Sequence, residues 1–235
     1  MVVEIQQLHR WDVTPKEAMQ IQRELAGRVI EQDRLENVRY VAGVDVGFEG
    51  EGNRTARAAV VVLDLPALKP VEYAIARTPV PFPYIPGLLS FRELPAVLQA
   101  LTQLKIVPDV FIVDGHGRSH PRRLGIACHL GVLLDLPTIG CAKSILCGRA
   151  QEPADRGGAL SPLLDEAEQI GAAVRTRKGV QPVYVSIGHR VSLDRAVGVV
   201  LQCCKGYRLP ETTRYAHRVA GGESVALNPA QRNLT

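Results

Sequence analysis

The stretch Arg39-Tyr-Val-Ala-Gly-Val-Asp-Val-Gly-Phe48 decides the fold. It is apolar almost without a break, as a strand buried on both faces must be, yet it carries a carboxylate, Asp45. Ala58-Ala-Val-Val-Val-Leu-Asp-Leu65 and Val71-Glu-Tyr-Ala-Ile-Ala-Arg77 follow closely. Connections this short predict a meander of three antiparallel strands. Upstream, Thr14-Pro-Lys-Glu17 is a capping box with proline at the first helical position. Ala18, Ile21, Leu25 and Val29 then recur at helical spacing, which predicts a helix over about 15–35.

Downstream the texture changes. Thr78 to Gly87 holds Pro79, Pro81, Pro83 and Pro86, so it reads as a stiff exposed loop. Ser90 is the expected N-cap of a helix with Leu94, Val97, Leu98 and Leu101 on one face. Asp109-Val-Phe-Ile-Val-Asp114 reads as a buried strand, 121–134 as a helix and 137–142 as a strand. Residues 151–161 read as a polar loop, 183–187 as a strand, and Ser192 as the cap of a helix reaching Cys203. The class is α/β: a mixed sheet in which the antiparallel meander is extended by parallel strands, with helices on both faces. One domain over 1–220 is expected, then a loosely ordered tail, 221–235.

The composition is that of a folded protein: 46% hydrophobic and 22% charged residues exclude wholesale disorder. No apolar run approaches the roughly 20 residues of a membrane span. The first residues lack a basic region followed by an apolar block, so no signal peptide is expected. Five cysteines, an odd number with no C-x-x-C, point to reduced thiols in a cytoplasmic protein. A net charge of +4 allows an anionic partner without demanding one.

Two carboxylates stand against their surroundings. Asp45 lies among Ala42, Val44 and Val46, and Asp114 ends the apolar run Val110–Val113. An ionised carboxylate there is costly without a positive neighbour. If the two strands are adjacent and parallel, both carboxylates meet at the sheet edge where ligands bind in open α/β folds, and a divalent cation is the simplest compensation. The bland reading makes each a turn former before a glycine. Glu93 is a third candidate, although Ser90-Phe-Arg-Glu93 also reads as a capping box. Residues 115–134 contain no acid but hold His116, Arg118, His120, Arg122, Arg123 and His129. If a helix opens at Pro121, this cluster suits phosphate; a solvated basic face is the alternative. Lys143 follows the buried segment Thr138–Ala142. Tyr84, stiffened by prolines, suits a wedge between stacked bases, unless it folds onto the core. Carboxylates, basic groups and a stacking aromatic together suggest metal-assisted phosphodiester hydrolysis.

Four motifs carry a close resemblance to the endonuclease V family: Val41–Phe48, Pro83-Tyr-Ile-Pro-Gly-Leu-Leu-Ser-Phe-Arg-Glu93, Val113-Asp-Gly-His-Gly-Arg-Ser-His-Pro-Arg-Arg-Leu-Gly125 and Pro137-Thr-Ile-Gly-Cys-Ala-Lys143. Gly188-His-Arg-Val-Ser192 and Lys205-Gly-Tyr-Arg-Leu-Pro210 extend it. The resemblance implies a ribonuclease H-like fold and a magnesium-dependent cut, with manganese as substitute, at the second phosphodiester 3′ to deoxyinosine. The cut initiates repair and leaves a 5′-phosphate. It implies that Asp45 and Asp114 hold the metal, that Glu93 completes the acidic site, and that His120 and Lys143 serve the scissile phosphate. Tyr84 would be the wedge. Gly87, Leu89, Gly115 and Ile126 would form the base pocket, and Arg118, Arg122 and Ser144 would contact phosphates. His217, in Thr213-Arg-Tyr-Ala-His217, would ligate metal or stand beside it.

The expected partner is DNA containing deoxyinosine, with inosine-containing RNA left open, no membrane, and a monomeric enzyme. A ribonuclease H-like nuclease acting on inosine-containing RNA or branched DNA is the alternative within enzymes. A binding module without catalysis would be the reading had Asp45, Glu93 or Asp114 been absent.

Overall fold

The computed structural model describes residues 3–228. The quoted stretch forms β1 (Tyr40–Glu49), which pairs antiparallel with β2 (Thr55–Asp64), and β2 pairs antiparallel with β3 (Pro70–Pro79). The meander stands as expected. Two short strands, β4 (Val110–Val113) and β5 (Thr138–Ala142), join it in parallel. β9 (Val183–His189) then pairs antiparallel with β5, followed by β8 (Glu168–Arg175), β7 (Ala159–Asp165) and the two-residue β6 (Arg149–Ala150), so the sheet runs β3-β2-β1-β4-β5-β9-β8-β7-β6. The expected polar loop 151–161 holds as far as Gly158, and its last three residues open β7, which forms an edge hairpin with β8. Ala159, Ser161 and Leu163 point inward while Leu160, Pro162 and Leu164 point out. Proline is tolerated because β7 lies near the edge and Pro162 presents no ladder donor.

Helices cover both faces. On one side α2 (Leu89–Leu101) lies over β2 and β3, and α3 (Ile126–Leu134) over β5 and β9, with α1 (Pro15–Ala26) outside α3. On the other, α4 (Leu193–Gln202) packs on β8 and β9, and α5 (Glu211–Ala220) on β1 and β2. Strand alternation separates two cores: Val41, Val61, Val110 and Ile112 face α4 and α5, while Ala42, Val44, Val60 and Phe111 face α2 and α3.

Three helix boundaries differ from the sequence reading. α1 keeps its capping box, with the Glu17 amide donating to Thr14 Oγ1, but ends at Gly27. Beyond it the Arg190 amide donates to the Ile30 carbonyl and the Arg34 amide to the Arg190 carbonyl, pairings a continuing helix could not make. α2 starts at Leu89 with no side-chain cap, and Ser90 is buried inside it. α3 starts at Ile126 instead of Pro121, because Arg123 takes φ +55° and the Gly125 amide turns back to the Gly117 carbonyl. Residues 115–125 thus form a loop laid flat on the sheet. The Arg118 amide donates to Ile187 O, and a Cβ on Gly117 would stand 2.0 Å from that same carbonyl. Ser192 caps α4 as read, accepting from the Arg195 amide.

Past α5, residues 221–228 have no helix or strand, but they are tied down. Val225 is buried in the α4/α5 core, and the Asn228 amide donates to Pro70 O. The loosely ordered tail expected from 221 therefore has a packed beginning; 229–235 lie outside the described residues. Among the described residues no helix is long and apolar enough to cross a membrane.

Gly43 shows how closely α5 is set on β1: a Cβ there would lie 2.0 Å from Thr212 O. Gly43→Ala must push α5 off the sheet. Overpacking of this kind costs about 1–3 kcal/mol, and a chain of this size loses about 2–4 °C of Tm per kcal/mol. Thermal unfolding should show that loss; an unchanged Tm would mean that α5 is not held in this position.

Candidate active site

Parallel pairing of Val44 with Val113 makes Asp45 and Asp114 the next pair in register, and the Asp114 amide continues the ladder to Val44 O at 3.1 Å. Both follow the alternation that faces α5. Asp45 Oδ2 meets His217 Nδ1 from α5 at 2.8 Å, and its Oδ1 accepts from the Val46 amide. Asp114 Oδ2 takes Lys143 Nζ at 2.5 Å, from the residue after β5. Glu93, on α2, is only 8% exposed.

The electrostatics show what this edge lacks. Burial, then the charges of Asp45 and Asp114, push Glu93 up to about 8. Burial and Asp45 also raise Asp114, against the opposing pull of Lys143. Burial would lower the Lys143 ammonium, but its bond to Asp114 and that charge outweigh it, and its pKa is raised. The capping-box alternative for Glu93 falls away, since Ser90 Oγ is instead bonded to His129 Nδ1 at 3.0 Å. The turn-former reading of the two aspartates is likewise replaced by a shared acidic cluster with too little positive charge. A divalent cation held by oxygen ligands fits that deficit. With Asp45 turned to His217 and Asp114 to Lys143, however, no three His, Cys, Asp or Glu side chains among the described residues are arranged to hold a metal ion. The chemistry of the donor set fits the ion; these contacts would have to open for ligation.

Beside the carboxylates lies a cavity of about 210 Å³, lined by residues of three loops and two helix starts: Tyr84, Gly87, Leu89, Ser90, His116, His120, Gly125, Ile126, Ser144, Ile145 and Leu146, with Gln22. A larger open trough of about 760 Å³ runs along the β6–β7 edge past Arg149, Pro162 and Leu164, and it includes none of the clustered carboxylates. None of the three carboxylates lines the smaller cavity either, but its lining adjoins them in the chain: Ser90 stands one turn before Glu93, His116 two residues after Asp114, and Ser144 next to Lys143. The proline-rich loop is anchored by Phe82, buried against Phe91 and Ala18, and by Arg92, which donates to Phe82 O and lies over the Phe48 ring. That leaves Tyr84 70% exposed at the cavity rim. Gly115 is not among the cavity-lining residues but packs directly under one, since a Cβ there would meet Ile126 Cγ2 at 2.6 Å.

The basic cluster is organised differently from the sequence reading. Its countercharge is supplied by the protein. Arg118 pairs with Glu31 at 2.8 Å and with Glu168, and Arg123 reaches Asp165 and Glu168 at 2.9 and 2.7 Å. Arg118 is therefore committed to carboxylates where phosphate was expected. Arg122 donates to Gln22 Oε1 at 2.6 Å and to Gly87 O at 2.8 Å. His120 is 2% exposed, and burial depresses it to about 4. Its neutral ring donates from Nε2 to Gly87 O at 2.9 Å and accepts at Nδ1 from the Arg122 amide. Gln22 Nε2 makes a third bond to Gly87 O, at 3.0 Å. Gly87, at φ +78°, is thus fixed from three sides. Ser144 lies at the rim, its carbonyl facing His116 Nε2 at 2.9 Å.

Sequence reasoning missed Gln22, Ile145, Leu146 and the acids of the β7–β8 hairpin. A signal for Gln22 existed: it stands four residues after Ala18 and three before Leu25, a polar group on the buried stripe of α1.

A family model described as Endonuclease V matches residues 23–218. Endonuclease V of Trichormus variabilis is 56% identical over 219 residues, covering 93% of this chain and 99% of its own. The crystal structure of Endonuclease V from Streptomyces avermitilis is similar with a TM-score of 0.85 and 45% identity, over 94% of this chain and 96% of that one. Endonuclease V of Ciona intestinalis, solved in complex with a 24mer DNA containing an inosine followed by a ribo-adenosine, gives a TM-score of 0.78 at 32% identity, over 88% and 95% of the two chains. The fold these structures share with this chain is ribonuclease H-like.

The raised Glu93 carboxyl has a consequence for stability. Its pKa when folded, about 8, exceeds the ordinary 4.5, so between those values the folded state binds more protons than the unfolded one. Stability from this group is complete below 4.5 and falls as pH rises toward 8. In chelator, Glu93→Gln should melt above the wild type at pH 8, by about 2–4 °C per kcal/mol, and the gap should close near pH 5. A gap independent of pH would show that Glu93 is not held protonated.

Proposed function

The chain belongs to the endonuclease V family, and on that premise we propose that it is a metal-dependent endonuclease. It recognises hypoxanthine in DNA and hydrolyses the second phosphodiester 3′ to the lesion, leaving a 5′-phosphate and initiating repair. The observation that carries this reading is the half-buried pair Asp45 and Asp114 with the buried Glu93, short of positive charge beside a base-sized cavity. Asp45 and Asp114 would hold magnesium, or manganese in its place, with Glu93 completing the acidic set and His217 adjoining Asp45. The bound ion would supply activation of water and stabilisation of the leaving oxygen.

The chain's own groups do the rest. Lys143, exposed and held at the edge by Asp114, is the cation available to the scissile phosphate, with Ser144 next to it. The cavity receives the displaced base: Gly87 and Leu89 border it from one side and Ile126, seated on Gly115, from the other. Hypoxanthine differs from adenine by an oxo acceptor and a ring N–H, which main-chain groups can read. Tyr84 stands where a ring could replace the extruded base in the stack. His120 and Arg122 act through Gly87 as positioning residues, and Arg118 braces the loop that carries them. The inosine-containing DNA bound by the Ciona intestinalis protein supports the substrate class. The five free cysteines accord with a reducing cytoplasm, and the reading takes the enzyme to act as a monomer.

A labelled oligonucleotide with one deoxyinosine, incubated with protein and magnesium, tests the reading beside adenine and EDTA controls. The expected result is a single metal-dependent nick at the second 3′ bond. Asp45→Ala and Asp114→Ala should abolish it, with a loss of at least about 10³-fold, while binding of the inosine duplex largely survives. Equal cutting of the adenine control would reject lesion recognition, and normal turnover in either variant would reject the metal site.

Tyr84→Ala should slow cleavage of duplex substrates by about tenfold and of single strands far less, since unstacking costs a few kcal/mol only where a stack exists. Equal losses on the two would make Tyr84 a structural residue.

A further inference from the structure

Behind the cavity runs a chain of polar groups that none of the roles above uses. His9 Nδ1 lies 2.8 Å from the Arg10 carbonyl oxygen, and His9 Nε2 lies 2.7 Å from His129 Nε2. His129 Nδ1 lies 3.0 Å from Ser90 Oγ. Nitrogens 2.7 Å apart share one proton, and burial disfavours the charged form of both rings, His129 most strongly; a neutral imidazole has one N–H. The direction of every bond then follows. A carbonyl only accepts, so His9 carries its proton on Nδ1. Its Nε2 is bare and accepts from His129 Nε2–H. His129 Nδ1 is bare in turn, and the hydroxyl of Ser90 must donate its single proton to it. Trp11 is stacked on His129 at 5.6 Å and Phe91 is tilted against it at 5.3 Å.

Ser90 is 2% exposed, and it both lines the cavity and bonds His129. We propose that Ser90 is a specificity-determining residue whose hydroxyl, its proton committed to His129, can only accept a hydrogen bond from the base in the cavity and so selects a ring N–H. The inference rests on the reading of this cavity as the base pocket. At the same place α2 begins, and the amides of its first residues, Leu89 and Ser90, have no intrahelical acceptor. Donors beside an obligate acceptor complement a lactam edge, a carbonyl next to a ring N–H, which is the edge of a 6-oxopurine. Adenine offers the reverse, a ring lone pair beside an amino donor, and sets like groups face to face. A buried polar group left unpaired in this way is costly. His9 and His129 are positioning residues that act through Ser90.

The test compares wild type with Ser90→Ala on two oligonucleotides, one carrying hypoxanthine and one carrying unsubstituted purine, which has neither the oxo group nor the ring N–H. Ser90→Ala should lose about tenfold in kcat/KM on hypoxanthine and no more than about twofold on purine, a contrast that one buried hydrogen bond can supply. Equal losses on both substrates, or an unchanged ratio, would overturn the proposal while leaving the endonuclease reading intact. A wild type that cuts hypoxanthine and adenine alike would overturn the base-pocket reading and this proposal with it. Nitrogen-15 shifts of the free protein report the polarity independently of cleavage: His129 should be the neutral Nε2–H form, in wild type and under turnover conditions. The Nδ1–H form would overturn the proposal.

Discussion

Three carboxylates at one buried sheet edge repel one another, and most of the architecture around them answers that repulsion. Asp45 and Asp114 are brought together by the parallel register of β1 and β4, and Glu93 is added from α2. Each source of relief comes from a different element. Lys143 arrives because β5 ends beside β4, and His217 because α5 lies close enough to β1 that only glycine fits at 43. Burial and the charges of Asp45 and Asp114 then raise the Glu93 carboxyl to about 8. A buried third acid beside two others is the charge deficit that the proposed cation would relieve.

The acid edge was legible because its residues contradict their setting. A carboxylate inside Val-Ala-Gly-Val or after Val-Phe-Ile-Val has no local explanation, and the strand pattern alone places both in one sheet. The meander was equally plain, being local in sequence. What failed was non-local. The run from His116 to Arg123 is basic by composition, but its neutrality is set by Glu31 and by Asp165 and Glu168 on a hairpin more than forty residues away. Pro121 looked like a helix start, and tertiary bonds to Ile187 and Gly117 held the chain out of that helix. The same cause misplaced Ser90, whose hydroxyl serves His129 instead of a helix end.

Rigidity in the loop that borders the cavity comes from two sources. Prolines restrict the backbone of 79–86 before folding, and Phe82 and Arg92 then pin it to α2. Gly87 follows in a left-handed conformation with three donors on one carbonyl. A carbonyl so occupied has no capacity left to accept from a ligand, so Gly87 shapes the cavity through its backbone path. Tyr84, between these anchors, is the one large side chain of the loop left in solvent. An exposed aromatic on a stiff support loses little entropy when it meets a partner.

The segment before residue 23 lies outside the part of the chain that the family model matches, yet it completes the cavity. Ala18 backs Phe82, Gln22 ties Gly87 to Arg122 and Leu124, and His9 and Trp11 close over His129. The acidic edge is therefore built by the sheet, and the cavity beside it is completed by a separate N-terminal layer. Such a division lets one vary without the other. Replacing His9 by a residue that donates would reverse every hydrogen bond as far as Ser90 and leave Asp45, Glu93 and Asp114 untouched. With Ser90 in the role proposed for it, base preference would then change at a position that touches neither the base nor the scissile bond.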